Sequence, residues 1–128
     1  MNKEQLLQSL AKKGFERKIL DAFSKVPREK FVPYQLRGKA YEDTALPIGH
    51  GQTISQPYTI SVMLSELELR SGQKVLEIGS GCGYVLALIS ELVGKNGKVF
   101  GIEIIPELVK MSKENLRNYK NAKVYNIN

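Results

Sequence analysis

The chain has 128 residues, a formal net charge of +6 and one cysteine, Cys82. That length supports a single domain with one core, and the lone cysteine excludes an intrachain disulfide and suits a reducing cytosol, the expected location. No apolar run approaches the roughly eighteen residues that a membrane span needs, and the charged N-terminal stretch MNKEQLLQSLAKKG does not read as a secretory signal.

The charge is unevenly spread. Residues 1–40 carry ten Lys/Arg against four Asp/Glu, residues 41–109 four against eight, and residues 110–128 five against one. Such a balance suits an acidic partner such as RNA. The cations are scattered along the helical segments, however, which is the pattern of solvated basic faces.

Residues 2–13 place Leu6, Leu7, Leu10 and Ala11 at helical spacing, with Asn2 as cap and Gly14 as stop. A second helix is expected over roughly 16–25, ended by Pro27. Residues 27–34, PREKFVPY, hold two prolines and should be irregular. Residues 41–53 hold two glycines and a proline, and read as a loop with short extended pieces. Ile60, Met63, Leu64 and Leu67 give helical spacing to residues 57–67.

After the turn RSGQ the period changes. KVLEIGSG reads as a buried strand entering a tight glycine loop, and Tyr84 to Val93 as a helix closed by Gly94. KVFGIEI, Lys98 to Ile104, is a second strand. Pro106 opens a helix running to Tyr119, and Ala122 to Asn128 starts a third strand. Strand alternating with helix is the signature of a parallel α/β sheet. The expected division is a helical and loop region, 1–56, before the first part of an α/β domain, 57–128. Three strands are few for such a sheet, so the pattern is that of the N-terminal portion of a larger fold, stopping after its third strand.

Gly79, Gly81 and Gly83 lie between the first strand of the sheet and a helix. Glycines are needed where backbone turns sharply and a ligand approaches without a Cβ in the way. A dinucleotide loop is spaced G-x-G-x-x-G; here that third position is Tyr84. Glu77 just ahead would repel an anion, so the loop suits a cofactor without phosphate that carries positive charge. Glu103 closes the second strand, where a carboxylate can accept hydrogen bonds from both ribose hydroxyls.

This arrangement resembles the class I S-adenosylmethionine-dependent methyltransferases, with their Rossmann-like fold. Three stretches make the likeness narrower: AYEDTALPIGHGQTISQPYTISVM, KVLEIGSGCGY and GKVFGIEIIPEL. With VPREKFVP, Val26 to Pro33, they resemble the protein-L-isoaspartate (D-aspartate) O-methyltransferase family of repair enzymes, over essentially the whole chain. The resemblance implies an enzyme that moves a methyl group from S-adenosyl-L-methionine to the free carboxylate of an L-isoaspartyl or D-aspartyl residue. It leaves S-adenosyl-L-homocysteine, and an ester that collapses to a succinimide without the enzyme. It implies Ser55 as the active-site serine. Around the cofactor it implies Gln52, Thr53, Ile54 and Ser55, then Glu77, Gly79, Gly81, Gly83, Glu103 and Ile104, with no metal. The implied partners are age-damaged proteins, with no membrane.

Read from the residues alone, Ser55 is as well suited to capping the helix that starts near Pro57. His50 reads as a loop histidine rather than a base, Cys82 as a small tolerated side chain, and Tyr84 as helix-face packing or a cofactor neighbour. The alternatives to the repair enzyme are a non-catalytic remnant or interaction module of the same fold and, further off, an RNA methyltransferase. An unpaired edge on the third strand would invite self-association.

Overall fold

The computed structural model describes all residues, Met1–Asn128. They form two compact units, Met1–Glu68 and Leu69–Asn128.

In the first unit, α1 spans Lys3–Lys12 and opens on a capping box: Asn2 and Gln5 each accept the other's backbone N–H through their side chains. Its stripe buries Leu6 and Leu10, and a fully buried leucine contributes about 1.5–3 kcal/mol. Helix α2, Arg17–Lys25, buries Ile19, Ala22 and Phe23 and stops at Val26, the residue that Pro27 forces out of helical geometry. Residues 27–39, expected to be irregular at their start, form two 3-10 turns, Arg28–Lys30 and Tyr34–Lys39, each following a proline.

The short extended pieces expected within residues 41–53 are two short strands. Strand β1, Leu46–Gly49, pairs antiparallel with β2, Gln52–Ile54, with an irregularity between Pro47 and Gly49. The two residues between Gly49 and Gln52 are His50 and Gly51, at φ of 55° and 72°. Two positive-φ residues are what a type I′ hairpin turn demands. Helix α3, Pro57–Leu67, follows with proline at its first position, and it lies in the first unit, beyond the division expected at residue 56.

The second unit is a parallel sheet in the order β3-β4-β5, built from Lys74–Ile78, Lys98–Glu103 and Ala122–Asn126. Helix α4, Tyr84–Val93, links β3 to β4, and α5, Pro106–Asn115, links β4 to β5. Helix α5 is shorter than the expected run to Tyr119. Past Asn115 the chain turns, burying Leu116, with Leu116 O accepting from Tyr119 N and Tyr119 O from Ala122 N. These bonds bend the backbone into β5. The register sets Leu76 beside Phe100 and Ile78 beside Ile102, which in turn lies beside Tyr125. Leu76, Ile78, Ile104, Tyr125 and Ile127 are exposed, whereas Val99 and Val124 on the alternate positions are buried. No helix is long and apolar enough to cross a membrane.

Candidate functional site

Each unit carries one cluster of the residues singled out by sequence. In the first unit, Gln52, Thr53 and Ile54 are the strand β2, and Ser55 is the residue that leaves it. Ile54 is buried, Gln52 and Thr53 are exposed, and Ser55 is half-buried. The capping role open to Ser55 is not the one it takes. The cap position belongs to Gln56, whose side chain does not cap. The orphan N–H of Tyr58 donates instead to Asp43 Oδ1 at 2.8 Å, a carboxylate at a helix N-terminus, where it is favoured. Gln56 Nε2 donates to Asp43 O at 3.2 Å, tying the same two stretches a second time.

A residue missed by the sequence reading sits below this segment. Arg28 is fully buried. Its Nε donates to Ala40 O at 2.7 Å, and its Nη2 to Thr44 O at 3.2 Å and Ser55 O at 3.0 Å. The available signal was an arginine between a helix-ending proline and an apolar pair, Phe31 and Val32. Its partners, up to 27 residues away, leave no periodic trace. His50 occupies the hairpin turn, exposed; the geometry there is backbone geometry.

In the second unit, Gly79, Gly81 and Gly83 take φ of 82°, 54° and 90°, values that side-chain-bearing residues rarely adopt. The loop is held from below by β4: Ile102 O accepts from Gly79 N at 2.7 Å and Ser80 N at 3.1 Å. Gly101 makes this approach possible, because a Cβ there would stand 2.5 Å from Leu86 Cδ1 and 2.8 Å from Ser80 Cβ. Asn115 Nδ2 donates to Cys82 O at 3.0 Å. Cys82 and Tyr84 are both buried, so Tyr84 packs in the core.

Glu103 has a task beyond the expected one. It is 5% exposed, and its Oε1 accepts from Gly81 N and its Oε2 from Ile105 N, each at 2.9 Å. The carboxylate thereby ties the glycine loop to the start of α5. Each of its oxygens keeps a further lone pair for a ligand hydroxyl. Ile104, next to it, is exposed.

Glu77 supplies the test of what ligand fits. Its Oε1 is enclosed and without a hydrogen-bond partner. Burial first, and then the negative charge of Glu103, push its carboxyl up from 4.5 to about 7. Two carboxyl groups at one end of a parallel sheet disfavour a phosphate and favour a ligand bringing a positive charge or N–H donors. The cradle thus fits a cationic amino-acid nucleoside such as S-adenosylmethionine. Apart from this cradle, Lys113, Arg117, Lys120 and Lys123 line a groove of about 540 Å³ along β5, with Tyr119 and Tyr125.

Comparisons with known proteins agree with this geometry. A relative from Methanothrix thermoacetophila described as a protein-L-isoaspartate O-methyltransferase is 53% identical over 124 residues, 95% of this chain and 59% of that protein. One from Ignicoccus hospitalis, of the same description, is 48% identical over 95% of this chain and 60% of its own length. The chain spans between 55% and 60% of the length of three such curated relatives. Among solved structures, a protein-L-isoaspartate O-methyltransferase superposes with a TM-score of 0.87 at 31% identity, over 97% of this chain and 41% of that one. A Plasmodium falciparum protein, described as a putative enzyme of this kind in complex with S-adenosyl-L-homocysteine, superposes at 0.86 with 29% identity, over 100% of this chain and 64% of that one. The family model for protein-L-isoaspartate (D-aspartate) O-methyltransferase matches residues 1–128, and the chain belongs to that family.

Proposed function

We propose that the protein of which this chain is part methylates the free carboxylate of L-isoaspartyl or D-aspartyl residues in damaged proteins, initiating their repair. The observation that carries this reading is the family match over every residue, which includes both the Gln52–Ser55 segment and the glycine loop. S-adenosylmethionine, when bound, supplies a methyl group on a sulfonium whose leaving group is a neutral thioether.

The chain's own residues have four tasks. Gly79, Gly81 and Gly83 give the cofactor an approach to bare backbone. Glu103 offers its remaining lone pairs to the ribose hydroxyls, with Ile104 beside it as an apolar wall. Glu77, in its ionised form, receives the cofactor's positive charge. Gln52, Thr53, Ile54 and Ser55 border the cofactor and the acceptor, and Ser55 donates its hydroxyl to the acceptor carboxylate.

Bond-making is simple: a carboxylate oxygen forms a bond to the methyl carbon while the carbon–sulfur bond breaks. No proton moves, because the acceptor is already anionic at neutral pH. What remains for the protein is alignment and exclusion of water, and this is why an exposed turn histidine at position 50 is not needed as a base.

The test has two stages. Calorimetric titration with S-adenosylhomocysteine should give an affinity near the micromolar range, on the order of −8 kcal/mol. Methyl should then pass to an isoaspartyl peptide and not to its aspartyl twin. Binding without transfer to either would favour a cofactor-binding remnant. The groove of Lys113, Arg117, Lys120 and Lys123 gives the RNA reading its one observation; competition between a folded RNA and the peptide, falling steeply with salt, would sustain it. Self-association is a separate expectation, and sedimentation at two concentrations reads it out.

A further inference from the structure

We infer that Arg28 is the positioning residue of the acceptor segment, acting through the backbone of Ser55; the inference rests on the methyl-transfer reading above. Burying a guanidinium is costly and is offset by the hydrogen bonds its donors make; Arg28 is 0% exposed, and its Nη1 makes no hydrogen bond, so the bonds of the other two nitrogens carry its placement. Its Nε and Nη2 engage three backbone carbonyls, those of Ala40, Thr44 and Ser55. These carbonyls end the second 3-10 turn, precede β1 and follow β2, so one planar fork gathers the three places where the chain changes direction around the hairpin. A lysine carries the charge but not the fork.

The bond to Ser55 O decides more than stability. A carbonyl held by a charged donor fixes the plane of the peptide that follows it, and with it the direction in which the Ser55 side chain leaves the backbone. Just beyond it, Gln56 and Tyr58 are held by Asp43. Ser55 is therefore held at its own carbonyl and through the residues that follow, with the paired strand β2 before it, while its own hydroxyl has no part in capping α3. A side chain whose backbone is fixed and whose hydroxyl is not used for capping is suited to holding an acceptor. A misplacement of about 1 Å in such a group costs on the order of 100-fold in rate.

The test compares wild type with Arg28→Lys in the intact protein. Four quantities are measured: kcat and KM for an isoaspartyl peptide, affinity for S-adenosylhomocysteine, and amide hydrogen exchange. The expected result is a fall of roughly 10- to 100-fold in kcat/KM carried mainly by kcat. Amides 53–56 should exchange faster, with cofactor affinity unchanged and residues 69–128 as in wild type. A folded variant with wild-type kcat overturns the inference and leaves the methyltransferase reading standing. A wild type that binds S-adenosylhomocysteine but methylates no isoaspartyl peptide sinks that reading, and the inference with it.

Should Arg28→Lys not fold, the wild type decides. A ¹⁵N-detected Arg28 Nε–H that is protected from exchange, and shifts on adding isoaspartyl peptide, supports the role. Exchange at the rate of a solvent-exposed arginine, or indifference to the peptide, overturns it.

Discussion

Two buried charged side chains, one in each unit, hold the two loops that matter, and they do it with opposite signs. Arg28 donates to three carbonyls and shapes the Ser55 segment. Glu103 accepts from two backbone amides and shapes the glycine loop. Both exploit the strength of charge-assisted hydrogen bonds to a backbone that would otherwise be free to move. They differ in reach. Glu103 works within a strand–loop–helix unit whose geometry is general to parallel sheets, while Arg28 joins stretches that no local rule brings together. A functional loop can thus be held by a recurrent local device or by one long-range clasp, and mutations should separate the two.

The largest effect is expected where the glycine loop meets β4. Gly101→Val places atoms inside the space of Leu86 and Ser80, and should destabilise the protein by about 3 kcal/mol or more. Chemical denaturation monitors this; retention of the wild-type midpoint would mean that the loop does not rest on the strand as described.

Glu103→Gln tests the local device itself. A glutamine can accept one of the two amides, and its NH2 group opposes the other. Cofactor affinity should drop by about 2 kcal/mol, roughly 30-fold, with smaller change in the exchange of residues 49–56. If S-adenosylhomocysteine binds the variant as tightly as wild type, Glu103 neither shapes the loop nor meets the ribose.

For the other cluster, Ser55→Ala should lower kcat for the isoaspartyl peptide by about tenfold, a loss comparable to one hydrogen bond to a charged group. Affinity for S-adenosylhomocysteine should hold. A loss of thermal stability with kcat intact would return Ser55 to a structural role.

Glu77→Gln gives the smallest change, and its sign depends on pH. The folded protein raises the Glu77 carboxyl to about 7, above its unfolded value, so the folded state binds the proton more tightly. Its contribution to stability is full below about pH 4.5 and is lost as pH rises through 7. Removing the ionisable group should therefore stabilise the unliganded protein at pH 8, on the order of 1 kcal/mol after allowance for solvent screening. At pH 5 it should change little. Thermal melts at the two pH values decide this, and equal shifts at both would place the carboxyl's titration elsewhere. The same substitution should weaken binding of S-adenosylmethionine more than that of its neutral-sulfur product.

Much of the second unit was legible in the sequence. Alternation of apolar strands with glycine turns marked β3, α4, β4 and β5 within a residue or two, because those elements are set by nearest-neighbour chemistry. The end of α5 was not legible, since the turn at Leu116 answers to bonds made with β5. In the first unit, α1 followed from its cap and spacing, and α2 from its spacing and Pro27. Within residues 27–56 only the short extended pieces of 41–53 were marked; how they are tied together was not, because the ties are a guanidinium and an aspartate bonding backbone far along the chain.

The sequence by itself determined the α/β class, the positions of Gly79, Gly81, Gly83, Glu77 and Glu103 at strand ends, and the family. Periodicity, glycine placement and strand-end acids are local properties, and they survive without coordinates. Only the tertiary structure decided that Gln56 rather than Ser55 takes the cap position, that Glu103 grips the loop and that Arg28 bonds the backbone of Ser55. Each of these depends on which backbone N–H or C=O is left unpaired once the elements have packed, and a buried polar group must find its partner wherever the fold brings one.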